Sequence, residues 1–197
     1  RMIKLTSLPL VALLAAPAAL FGADIVVNSN ITSSRTWTKT NTYILDGRVF
    51  VTDGVTLTIE PGTVIASTPT TNGGGSIAVC KGAQIIANGT RTQPIIFTST
   101  ADVATWVNGD PKTGTWRAIA NEWGNLTIMG DAYISENAIA TNTATPNASN
   151  YANMEGLTAA SATDTRVRYG GGNDDDDSGS LKYVSIRYAG RVVGLNN

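Results

Sequence analysis

The feature that most constrains this chain is a repeat. Ile77, Val79, Gly82, Ala83 and Ile85 follow Val49, Val51, Gly54, Val55 and Leu57 at a constant offset of 28. Apolar residues alternate at Val49 and Val51, then at Val55, Leu57 and Ile59, with Asp53-Gly54 and Pro61-Gly62 between and after the runs. Alternation of period two bounded by turn pairs reads as short strands. Self-similarity at a period of about 20–50 residues indicates a solenoid. A loop from Thr68 to Gly75, with Pro69 and a run of glycines, inflates the spacing; without it the coil is about 20 residues long. The expected fold is all-β, a right-handed parallel β-helix, and two copies leave a β-sandwich as the alternative.

Further strands extend the pattern. Asn88-Gly89 supplies a turn before Pro94–Thr98, and a third group is expected at Trp116–Ala120, Asn125–Met129 and Asp131–Ile134. Leu181–Gly190 alternates again and reads as one strand. In this reading Val49, Val51, Leu57, Ile59, Ile77, Val79, Ile85, Ile96, Ile128, Val184 and Ile186 face inward. Residues 136–165 are rich in Ala, Thr and Asn and read as a long surface loop. Solenoids need caps over their end coils, and none is visible before Asn197. The expectation is a C-terminally truncated β-helix whose open end promotes association.

The first residues differ in character. Met2-Ile3-Lys4 precedes an apolar run from Leu8 to Phe21, then Gly22-Ala23. A positive start, a short apolar core and small residues are the parts of a secretory signal. Pro9 and Pro17 break the core, which falls short of the ~20 residues of a membrane span. Residues 1–23 are therefore expected to be a signal peptide, and 24–197 the N-terminal part of the β-helix, without a transmembrane segment. Arg1 before Met2 suggests a translated gene fragment. The expected location is outside the cell or on a bacterial cell surface.

Composition narrows the chemistry. Charged residues are 15 % of the chain and the formal net charge is −1; losing Arg1 and Lys4 with the signal makes it more acidic. No basic face is available to neutralise phosphates, so nucleic acid is not an expected partner. There is one cysteine, Cys80, and no histidine. An internal disulfide is excluded, and zinc, haem and triad chemistry lose their usual ligands and bases. Catalysis, if present, would rest on Asp, Glu, Lys, Arg or Tyr.

Several stretches resemble, in order, a family of secreted bacterial proteins with right-handed β-helix architecture, common in Bacteroidetes. They are Val51–Ile65, Gly82–Thr90 with Gln93–Ser99, Trp123-Gly124 through Ile128-Met129-Gly130, Met154-Glu155-Gly156, Tyr169-Gly170-Gly171, and Asp176–Gly190. The resemblance covers most of residues 43–190. It implies an extracellular β-helix from a usually longer protein, and it implies no particular enzymatic activity. The chain departs from the pattern at Ala118–Glu122 and in the Ala/Thr/Asn-rich segment.

The acidic run Asn173–Gly179 is the strongest chemical feature. Asp174, Asp176 and Ser178, followed by Gly179, match the first half of an oxygen-ligand calcium loop. Ser185 stands where such a loop carries a bidentate Glu, and the plainer reading is a solvated acidic turn. No other metal or cofactor is expected, and no catalytic set is assigned. Arg166, Arg168, Lys182 and Arg187 read as outward solenoid charges. Trp106, Trp116 and Trp123 form a sugar-stacking surface or, more simply, packing anchors, while Trp37 stands alone. Cys80 reads as a small unreactive residue. Asn30, Asn88, Asn125 and Asn147 begin glycosylation triplets, which in a bacterial protein are turn chemistry. Two functions follow. One is a non-catalytic adhesion or glycan-binding scaffold with extracellular polysaccharide or cell-surface partners. The other is a carbohydrate-active lyase or hydrolase whose active coils lie partly beyond Asn197.

Overall fold

A computed structural model describes residues 22–135 and 149–191. Residues 1–21 of the expected signal and 136–148 of the expected loop lie outside them. The described chain winds through successive turns of a solenoid. The first turn holds β1 (Asp24–Val27) and β2 (Arg35–Trp37). The second holds β3 (Thr42–Leu45), β4 (Arg48–Val51) and β5 (Thr56–Ile59). The third holds β6 (Val64–Ser67), β7 (Ser76–Val79) and β8 (Gln84–Asn88). The fourth is the most elaborate. It runs β9 (Ile95–Ser99), α1 (Thr100–Val103), β10 (Leu126–Ile128), β11 (Ala152–Asn153), β12 (Arg168–Tyr169) and β13 (Gly179–Lys182), before β14 (Val184–Ile186) opens the next turn.

The second, third and fourth turns each contribute one strand to each of three parallel sheets; the first gives sheet B only the isolated Ile31–Val51 bridge. Sheet A is β1-β3-β6-β9-β14, sheet B is β4-β7-β10 and sheet C is β2-β5-β8-β13. All their pairings are parallel, and the one antiparallel ladder among the described residues is the short β11–β12 pair. The structure is thus a parallel β-helix, and the sandwich alternative falls. The offset seen in the sequence is the physical register: Val49 pairs with Ile77 and Leu57 with Ile85, 28 positions on. Where the corners are tight, as between Leu45 and Ser67, the offset is 22.

Inward residues stack turn on turn. Val49, Ile77 and Leu126 form one column; Val51, Val79 and Ile128 form the next. Val49, Val51, Leu57, Ile59, Ile77, Val79, Ile85 and Ile96 are buried as expected. Ile128 and Ile186 are not: they are 37 % and 48 % exposed, and Val184 is only half-buried. These three sit in the last described strand of their sheets, with no described strand stacked beyond them. At the other end Ile31 and Trp37 are buried, and Trp37, far from isolated, stacks on Tyr43 at 4.6 Å.

Three strand expectations need correction. Trp116–Ala120 and Asp131–Ile134 form no strand, because a coil takes one strand per sheet and these segments lie in loops inserted at corners. Leu181–Gly190 is not one strand. Tyr183 and Tyr188 adopt φ of 49° and 55° and turn the chain from sheet C to A and from A toward B. Residues 149–169 form a second layer over sheet B. Met154 donates to the Val167 carbonyl at 2.7 Å, Arg48 donates to the Gly156 and Thr158 carbonyls, each at 3.2 Å, and Arg166 lies over the Phe50 ring.

Gly179 starts β13 at φ +110° directly above Ile85, where an added Cβ would collide with the Ile85 carbonyl oxygen. Gly47 also has positive φ, +84°, but open space around it. Gly47→Ala should therefore cost about 1–2 kcal/mol of backbone strain. Gly179→Ala should cost more than about 4 kcal/mol or abolish folding. Denaturant midpoints of the two variants, measured side by side, check the difference.

Candidate ligand cleft

The insertion between β9 and β10 is rooted by buried polar groups. Ser99 ends β9 and caps α1, its hydroxyl accepting from the Asp102 amide at 3.1 Å. The Thr98 hydroxyl donates to Asp102 Oδ2 at 2.7 Å, and Asp102 is only 2 % exposed. The Ser99 hydroxyl also donates to Glu122 Oε2 at 2.5 Å. Arg117 clamps both Glu122 oxygens at 2.6 Å. Hydrogen bonds from Arg117, and then from Ser99, hold the Glu122 pKa below the usual carboxylate range despite burial. Bidentate charge-assisted pairs are the geometrically specific kind, so this one fixes where the insertion returns to the solenoid. The Glu122 amide donates to the Tyr188 carbonyl at 3.0 Å and completes the tie.

A cleft of about 430 Å³ opens between this insertion and the last described turn. Asp102, Trp116, Arg117, Ile186, Arg187 and Tyr188 line it. The Arg117 guanidinium lies 4.7 Å from the Tyr188 ring centroid and Arg187 lies 5.8 Å from that of Trp106. Arg187 Nη1 also approaches Asp102 Oδ2 at 3.5 Å. Trp116 is 79 % exposed, an uncommon position for a large ring that has any core to join. An exposed aromatic face beside two guanidinium groups suits a ring-shaped ligand bearing hydroxyl or anionic groups. Asp102 is the one carboxylate among the described lining residues, and its Oδ2 accepts from the Thr98 hydroxyl and from Arg187 Nη1.

The three tryptophans thus have separate fates. Trp116 faces the cleft, Trp106 packs against Arg187, and Trp123 is fully buried, its ring stacked on Phe97 and its Nε1 donating to the Arg187 carbonyl at 2.6 Å. Arg166 is not a cleft residue: it forms a bidentate pair with Asp164 at 2.8 Å, and the hydrogen bonds hold the Asp164 pKa well below the usual range. Arg168 lies over Tyr151. Burial pushes the Cys80 thiol up to about 11, and a neutral buried thiol is unreactive. Arg117, Asp102, Glu122 and Tyr188 carried no signal in the sequence, because nothing local brings residue 117 to residue 188.

The acidic run lies elsewhere, against the loop after β10. Asp174 Oδ1 accepts from the Tyr133 amide at 2.8 Å, and Asp176 Oδ2 accepts from the Asp131 amide and the Ser178 hydroxyl, each at 3.1 Å. Asp177 Oδ1 accepts from the Gly179 amide at 2.8 Å. Asp174, Asp176 and Ser178 therefore serve as turn acceptors and donors, splinting residues 131–133 to 173–178. Among the described residues no group of three or more His, Cys, Asp or Glu is gathered as a metal cage.

Two outcomes follow. Glu122 and Asp164 have folded pKa values below their unfolded ones, so each contributes stability that is fully present above the ordinary carboxylate pKa near ~4 and is lost as pH falls through the depressed value. Denaturant midpoints against pH should decline below that range, and Glu122→Gln and Asp164→Asn should each be less stable at neutral pH with a flatter acid limb. For the acidic turn, Asp174→Ala/Asp176→Ala should lower the melting temperature to the same extent with calcium, magnesium or chelator. A calcium-specific stabilisation that vanishes in the double variant would instead place a cation there.

A family model described as a pectate-lyase-like beta-helix domain matches residues 29–196. No curated protein and no solved structure matches the chain.

Proposed function

Since the chain belongs to the pectate-lyase-like β-helix family, we propose that it is a secreted or cell-surface glycan-binding scaffold that holds a saccharide ring in the cleft between the β9–β10 insertion and β14. The single observation that carries this reading is Trp116, 79 % exposed beside Arg117, Arg187 and Tyr188. A flat apolar ring covers the C–H face of a sugar, and the guanidinium groups supply donors to its hydroxyl or acidic substituents. Binding without turnover accords with a cleft in which Asp102, the one carboxylate among the described lining residues, already takes the Thr98 hydroxyl.

Affinity electrophoresis against a panel of neutral and acidic polysaccharides tests the proposal. Retardation by at least one glycan is expected, with affinity falling about tenfold or more in Trp116→Ala, the loss of roughly one stacked ring. No new reducing ends should accumulate during incubation. Retention unchanged in Trp116→Ala and in Arg187→Ala would overturn the assignment of the cleft. Products that form with wild type and disappear with Asp102→Asn would make the protein a carbohydrate-active enzyme instead.

A further inference from the structure

Sheet B presents a second, unrelated recess on its outer face. Arg48 pairs with Ser76 at the start of β4 and β7. The register of β7 with β10 continues this column to Asn125, and the Trp123–Ala189 bridge continues it to Arg191. Four turns thus stack Arg48, Ser76, Asn125 and Arg191 on one line, about 4.8 Å apart per turn. The segment around Gly156, held by Arg48, forms a wall. Between them lies a cavity of about 120 Å³ lined by Ser76, Asn125, Thr127, Glu155 and Arg191. Gly124 keeps it open, since an added Cβ would stand 2.6 Å from the Ser76 Cβ.

One polar atom of the lining is buried without a protein partner: the hydroxyl of Ser76, which is 6 % exposed; the Arg48 Nε, one turn below and outside the lining, is buried without one as well. Buried polar groups in native proteins nearly always have partners, so the Ser76 hydroxyl, which lines the cavity, calls for a ligand atom. Arg191 lines the cavity, and Arg48 lies three turns below it in the same column; burial, and then the like charge of Arg191, lower the Arg48 pKa. A guanidinium in the wall of a polar cavity, with a second like charge in the same column, favours an anion there. Glu155 in the wall offsets one of the two positive charges. The surplus of a single charge suits a monoanion better than a phosphate dianion.

We propose that this recess binds a carboxylate group, with the Arg191 guanidinium and the Ser76 hydroxyl as donors and Arg48 as the charge behind them. The site shares no lining residue with the Trp116 cleft. It stands or falls independently of the glycan reading. The carboxylate belongs to a small free acid or to a sugar acid; both present the same planar oxyanion.

The test is an NMR titration of the full chain, following the Ser76 and Thr127 amides with sodium acetate, glucuronate, sulfate and chloride at matched ionic strength. Saturable shifts with glucuronate, and not with chloride or sulfate, are expected. Acetate acting alike identifies a free-acid site, and acetate without effect identifies a sugar-acid site. Arg191→Gln and Ser76→Ala should each weaken binding about tenfold, the scale of one charge-assisted hydrogen bond. Trp116→Ala should leave it unchanged. Equal shifts with chloride, or full affinity in both Arg191→Gln and Ser76→Ala, would overturn the proposal.

Discussion

Everything in this molecule depends on the parallel backbone ladder from one turn to the next. Within the three sheets each strand hydrogen-bonds to its neighbours one turn below and one turn above, or to one of them at the ends, and the register of those bonds decides which side chains face inward. A slip of one residue would turn every aliphatic side chain of the strand outward. The columns Val49–Ile77–Leu126 and Val51–Val79–Ile128 record that constraint directly. The ladder also explains the burial gradient. Ile77 and Val79 have neighbours on both sides and are sealed; Ile128 and Ile186 have a described neighbour on one side and are half open.

The ladder restricts strands but leaves corners free. A coil can accept any length of chain between two strands, provided the next strand returns to register. The chain uses this freedom after β6, after β9 and after β10. Both recesses are products of it. The β9–β10 insertion, pinned by Glu122 to Arg117 and Ser99, walls the Trp116 cleft. The β10–β13 insertion, pinned by Arg48 and by the Asp174 and Asp176 carboxylates, walls the recess over Ser76. In each case the solenoid supplies a rigid face and the insertion supplies the shape, the division of labour expected when function sits on loops over a scaffold.

The ladder also assembles residues that are far apart in sequence. Ser76 and Arg191 share one outward column, and Arg117 meets Tyr188 across the seam between insertion and last turn. Such meetings leave no local trace. Trp116 and Arg187 were visible as candidate residues, yet nothing in their neighbourhood joined them. The Asp174–Ser178 run shows the converse. Its spacing is legible locally, yet the Tyr133 and Asp131 amides that donate to Asp174 Oδ1 and Asp176 Oδ2 come from forty or more positions earlier.

The repeat unit is legible in the amino-acid sequence alone. Period-two alternation, turn pairs such as Asp53-Gly54 and the offset of 28 are local or nearest-turn properties, so they predict parallel stacking and most of the core. The sequence also marks Cys80 as a packing residue, because its apolar strand surroundings are read locally. The strand positions of the fourth turn, by contrast, are set by the fold. Long insertions separate β10 from β9 and β13, and an alternating stretch such as Leu181–Gly190 looks the same whether it runs straight or bends twice at Tyr183 and Tyr188. The fold also sets the two recesses, because a side chain's partners across a corner depend on how an insertion of free length folds back. That is settled by pairs such as Arg117–Glu122 and Arg48–Gly156, whose members meet through the fold and whose spacing in the sequence carries no period.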